Sequence, residues 1–206
     1  MTESATKRRM KWSGRALACV LAAGLLGCNG SSGGSSDVPA MNTAGTSDIN
    51  RQGMRGRTAL WIASYEGDVT LINELLAKGA DPNIAAGNGR TPLDNAVAKA
   101  NMPAIQALLR AGANPFTQDD RGENALMRAA LRNQTEIVRL MLQNKGDVNL
   151  QSKSGMTALH YAARENAAEI ARMLVAAGAK KNLVDAKGRS AFDMAKGNSV
   201  SAVVAP

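Results

Sequence analysis

Five glycines, Gly56, Gly89, Gly122, Gly155 and Gly188, stand at intervals of 33 residues. A fixed period of this length commits a chain to a stack of like units, each burying its apolar side against its neighbours. Two residues after the glycines come Thr58, Thr91, Asn124, Thr157 and Ser190. All are side chains that accept a hydrogen bond from a free backbone N–H at a helix start. Pro92 falls at the first helical position, where its missing N–H costs nothing. Leu60, Leu93, Leu126, Leu159 and Phe192 follow in phase, then Ala63, Ala96, Ala129, Ala162 and Ala195. A small residue there lets helices approach closely.

A second helical pattern follows in each unit. Ile72, Leu75 and Leu76 recur as Ile105, Leu108 and Leu109, as Val138, Met141 and Leu142, and as Ala171, Leu174 and Val175. Spacings of three and four put them on one helix face. Gly79, Gly112 and Gly178 end that helix with a residue tolerant of positive φ. Lys145 takes this place in the third unit, with Gly146 one later, which predicts a distorted or shifted turn. Composition agrees with helices: 37 alanines are nearly a fifth of the 206 residues, and aromatics are 3%. So Ala-rich a core points to an all-α fold and away from a β-sandwich or barrel.

The segment Gly-x-Thr-Ala-Leu-His-x-Ala-Ala at Gly155 to Ala163, with Ala-Gly-Ala at Ala177 to Ala179, resembles an ankyrin repeat. So do Arg57-Thr58-Ala59-Leu60 with Lys78-Gly79-Ala80-Asp81, and Arg90-Thr91-Pro92-Leu93 with Ala111-Gly112-Ala113-Asn114. The resemblance covers residues 48–206: four full units near 56–88, 89–121, 122–154 and 155–187, and a fifth from 188 that breaks off after one helix and a short second stretch. It implies an all-α solenoid of stacked helix-turn-helix units with projecting turns. Asp48 and Asn50 align with Asp81 and Asn83, as the loop that would end an earlier unit. The resemblance gives His160, the lone histidine, a structural bond to the turn beside it.

The first 27 residues read as an export signal. Lys7, Arg8, Arg9, Lys11 and Arg15 precede the eleven apolar or small residues Ala16 to Leu26, a run too short to span a bilayer. The sequence Leu25-Leu26-Gly27-Cys28 resembles the lipobox of bacterial lipoproteins, with an aliphatic residue three before the cysteine and glycine directly before it. That resemblance implies lipidation of Cys28, residues 28–47 as a Gly/Ser-rich tether, and a membrane-anchored protein of the periplasm. Asn29, where aspartate would favour the inner membrane, directs the expectation to the outer one. The other reading is an ordinary signal peptide with an incidental cysteine.

One histidine and two cysteines exclude His-rich metal sites, cysteine-cluster zinc sites and disulfide scaffolds. The G-x-S-x-G pattern at Gly30 to Gly34 lies in a Gly/Ser stretch, without the strand-to-helix turn that gives it meaning in hydrolases. We expect no enzyme, cofactor or metal. The resemblance implies a scaffold that meets a protein through its turns and the exposed side of each first helix. Those positions carry Arg55, Arg57, Tyr65, Arg90, Lys99, Arg121, Arg132, Lys153, Arg164, Lys187 and Arg189 as candidate contacts. Ten lysines and arginines against four carboxylates give the face a net charge of +6, whereas all of residues 28–206 carry +4. Adding one further turn position, which holds Asp119 and Asp185, lowers the face to +4. One reading is a partner with an acidic surface; the other is that solvated turns simply carry Lys and Arg. Export argues against nucleic acid.

Trp61 and Tyr65, four apart on one side of a helix, are anchor types. Trp61 has a second reading, packing on the neighbouring turn in place of the usual histidine. The expectation is a membrane-tethered periplasmic interaction module that holds or protects an envelope enzyme. The alternatives are an immunity protein that neutralises a toxin and a chaperone-like envelope factor.

Overall fold

A computed structural model describes residues 48–195 and 198–205. The export signal, Cys28 and the tether lie outside them. Among the described residues ten α-helices follow in pairs: α1 Ala59–Glu66 and α2 Val69–Ala77, α3 Pro92–Ala98 and α4 Met102–Arg110, α5 Ala125–Leu131 and α6 Thr135–Met141. Then come α7 Ala158–Arg164 and α8 Ala168–Ala176, and the partial pair α9 Ala191–Met194 and α10 Asn198–Val204. No strand occurs among the described residues, apart from an isolated bridge between Val184 and Ser190.

Each first helix starts at the predicted residue. The side chains of Thr58, Thr91, Asn124, Thr157 and Ser190 accept from the N–H three residues on. The turn between paired helices takes positive φ at Gly67, Ala100, Asn133 and Asn166, again 33 apart. First helices pack on first helices, α1 on α3 on α5 on α7 on α9, and second helices form a parallel row. Leu60, Leu93, Leu126 and Leu159 are at most 1% exposed, and Ala63, Ala96, Ala129 and Ala162 are fully buried between the rows. The fifth unit departs: Phe192 is 43% exposed and Ala195 only half-buried.

The loops after the second helices are stitched by asparagine. Asn83 accepts from the Asn114 N–H and donates to the Gly112 carbonyl; Asn149 does the same with Lys180 and Gly178. Asn50 accepts from the Asp81 N–H at 2.8 Å, so the loop that would close an earlier unit is present. Phe116 breaks the ladder. Its ring is buried against Gly146, where a Cβ would stand 2.1 Å from Phe116 Cδ2. The expected distortion is here: α6 ends at Met141, two residues short of the end its register with α4 would give. No helix among the described residues is long and apolar enough to cross a membrane.

Candidate binding face

Each unit begins with a finger, a tight turn that projects ahead of the first helix. Its closure is a backbone bond from Gly53, Ala86, Asp119, Ser152 or Asp185 to the carbonyl four residues on. Adjacent fingers are joined tip to tip, Gly87 N–H to Arg55 O at 2.7 Å, Asp120 to Asn88 at 3.3 Å, Lys153 to Arg121 at 2.9 Å and Ala186 to Ser154 at 2.9 Å. This approach explains glycine at the first four positions of the period, whereas at Gly188 only the φ of +75° calls for it. Gly89 has φ +75°, and a Cβ there would lie 2.8 Å from the backbone of Asp119 and Asp120. Gln52, Gln118 and Gln151 add a clamp, each donating to its own finger and to the next one.

The candidate cations all sit on these fingers or at the ends of the first helices, but they do not share one electrostatic state. Arg189 forms a two-nitrogen bond to the buried Asp185 carboxylate, at 3.0 and 2.7 Å. The side-chain and backbone donors of Arg189 pull the Asp185 pKa down to about 2. Arg90 lies 3.8 Å from Asp119, and Arg164 lies 3.0 Å from Glu165. Arg55, Arg57, Lys99, Arg121, Arg132, Lys153 and Lys187 have no ion-pair partner among the described residues. Of the four face carboxylates, Glu123 and Glu165 are paired, which leaves Glu66 and Asp120. Asp119 and Asp185, which made the sequence count depend on where the face was bounded, are both engaged by arginines.

The pairing centres on a residue outside the predicted set. Arg128, on α5, is 6% exposed and ringed by three carboxylates: Asp119, which it hydrogen-bonds, Glu123 at 3.2 Å and Asp94 at 3.4 Å. Burial pushes the Asp94 pKa up, against the pull of its bonds to Thr91 and of the Arg128 charge. Glu123 also accepts from the Tyr161 hydroxyl at 3.0 Å. The sequence signal was available: the position equivalent to Arg128 holds Ile62, Asn95, Tyr161 and Met194 in the other units. A charge in that otherwise uncharged register has to bring partners.

Trp61 does what the lone histidine does. Its indole N–H donates to the Arg90 carbonyl at 2.8 Å, and His160 Nε2 meets the Arg189 carbonyl at 3.2 Å, each across 29 residues. Thr157 N–H donates to His160 Nδ1, so Nε2 carries the proton; burial lowers the pKa of this ring and holds it neutral. Tyr65, by contrast, is 58% exposed. Among the described residues no group of three or more potential metal ligands is found.

A family model described as ankyrin repeats, in three copies, matches residues 31–119 and 94–185, the first match reaching into the Gly/Ser-rich segment. A search of curated proteins gave no match.

Proposed function

Because the chain belongs to the ankyrin-repeat family, whose members are in general non-enzymatic protein-interaction modules, we propose that it is a tethered adaptor of the bacterial periplasm. It binds one protein through the fingers and first-helix ends. The observation that carries this reading is the uneven pairing of charge on that face: among the described residues, seven cations without an ion-pair partner against two such carboxylates. Complementary charge speeds encounter and selects among partners, so the bound protein presents an acidic surface. A lipid on Cys28 holds the complex at the membrane, with the outer membrane favoured by Asn29.

Two experiments test this. A photo-crosslinking amino acid at Arg121 or Lys153 in intact envelopes should capture one saturable partner, and the same probe at Arg110 or Arg172 on the second-helix row should not. Equal capture from both rows overturns the face, and many unrelated clients instead of one favour a chaperone-like role. Separately, Cys28→Ser should move the protein from the membrane to the soluble fraction; unchanged fractionation removes the tether from the reading.

A further inference from the structure

The seven unpaired cations surround different chemistry at the two ends of the face. Arg57, Trp61, Tyr65 and Lys99 form a ladder in the first two units. The Arg57 guanidinium lies 4.8 Å from the Trp61 ring centre, and Trp61 stacks on Tyr65 at 5.6 Å with the ring planes 8° apart. The Lys99 ammonium lies 5.6 Å from the Tyr65 ring and donates to the Glu66 carbonyl at 3.4 Å. The ladder is held from below, since Trp61 is only 5% exposed and its N–H is fixed on the Arg90 carbonyl. Tyr65 thus offers an aromatic surface with little side-chain freedom left to lose on binding. Met54, on the first finger, is also 58% exposed. No other unit of the face presents an exposed aromatic: Tyr161 is buried and Phe192 lies outside the contact positions.

We propose that the partner docks at this end through an acidic segment that carries an apolar or aromatic side chain. The apolar group covers Tyr65, and the carboxylates meet Arg55, Arg57 and Lys99. This rests on the reading of the fingers and first-helix ends as the binding face, and it adds where on that face, and to what chemistry, the affinity belongs. Arg and Tyr are the residue types that dominate interface energetics, and a stacked pair with a cation at each end suits both halves of such a segment. A nucleic-acid backbone fits less well. It needs a continuous basic track, and here Asp120 and the Arg90–Asp119 pair interrupt the track after the second unit.

The test is fluorescence anisotropy of the full chain with a labelled acidic heptapeptide bearing a central phenylalanine. Comparators are the same peptide with serine at the centre, and an oligodeoxythymidine of equal charge. The phenylalanine peptide should bind best. Tyr65→Ala and Lys99→Glu should each weaken it by at least about tenfold, Tyr65→Phe should retain it, and Lys153→Glu and Lys187→Glu should change it by less than about twofold. An equal loss from Lys153→Glu, indifference to the phenylalanine, tighter binding of the oligonucleotide, or no peptide binding overturns this docking site. None of these results touches the crosslinking outcome at Arg121 and Lys153, on which the broader reading stands or falls.

Discussion

Replacing Arg128 by methionine keeps an unbranched side chain of comparable length and removes the charge that three carboxylates share. Asp94, 2% exposed, and Asp119, 9% exposed, then lose their principal cation. Breaking a buried ion pair from one side costs about 3–5 kcal/mol. Arg90, 3.8 Å from Asp119, still compensates in part, which places the expected loss near the lower end, about 3 kcal/mol. With a urea slope of about 2 kcal/mol per molar, the midpoint at pH 7 falls by about 1.5 M. Acid should return part of this. Asp94 already has a pKa raised by burial, and losing the attractive Arg128 charge raises it further. A carboxyl with a raised folded pKa binds more protons folded than unfolded, so stability falls as pH rises through that window and recovers on acidification. Urea unfolding followed by circular dichroism at pH 7 and pH 5 reads both effects. A midpoint shift under about 0.3 M at pH 7, or a deficit that is the same at pH 5, would refute the account of Arg128 as the cation of a buried network.

Ala100 holds φ +51° where the first unit has Gly67 and the later ones asparagine, so Ala100→Gly should stabilise by about 0.5–1 kcal/mol, read as a higher melting temperature. Gly146→Ala should cost about 1–3 kcal/mol by forcing a methyl into the Phe116 ring, and should cost little in a Phe116→Ala background; equal costs in both would show that the ring is not the obstacle. Arg189→Ala should raise the Asp185 pKa from about 2 toward its ordinary value, followed by carboxyl chemical shift against pH. The sign follows from the depressed folded value: the stability this carboxylate contributes is present above its unfolded pKa and is lost as pH falls toward 2, and the variant should lose it at higher pH.

Where the residues repeat, the sequence was enough. The cap oxygens, the leucine and alanine registers and the finger glycines are local requirements of one backbone geometry, and a requirement met four or five times at a fixed interval is visible without coordinates. The distortion at Lys145 was readable for the same reason, as a missing glycine. What escaped were interactions between units at positions that do not repeat. Phe116 occupies the register of Asn83 and Asn149, and its seat over Gly146 depends on how the third loop shifts. Arg90 and Arg189 were read as contacts because of their position, yet their charges are taken up by Asp119 on the next finger and by Asp185 four residues earlier in the same finger. A linear count of charge cannot tell a solvated cation from a paired one; only the pairing geometry separates Arg57 from Arg189.

The junction between the second and third units shows why a charged network stands there. Elsewhere, neighbouring units are joined by neutral clamps that recur along the stack. The first and second units have the Trp61 and Asn83 bonds and Gln52; the fourth and fifth have His160 and Gln151. At the second junction Ala85 stands in the glutamine position, Phe116 in the asparagine position and Asp94 in the ring position, so all three clamps are missing together. The finger-tip bond is also longest here, at 3.3 Å. The junction relies instead on the Gln134 bond to the Val97 carbonyl, the Leu126 N–H bond to the Pro115 carbonyl, the Phe116 packing on Gly146, the Arg90–Asp119 pair, and the Arg128 contacts with Asp94 and Asp119. In a stack whose stability is a sum of unit and nearest-neighbour terms, a junction of this kind decides whether the array unfolds as one body or as two. Asp94 is then a buried carboxylate whose cost is offset at that junction by Arg128, which reaches back to it from the third unit.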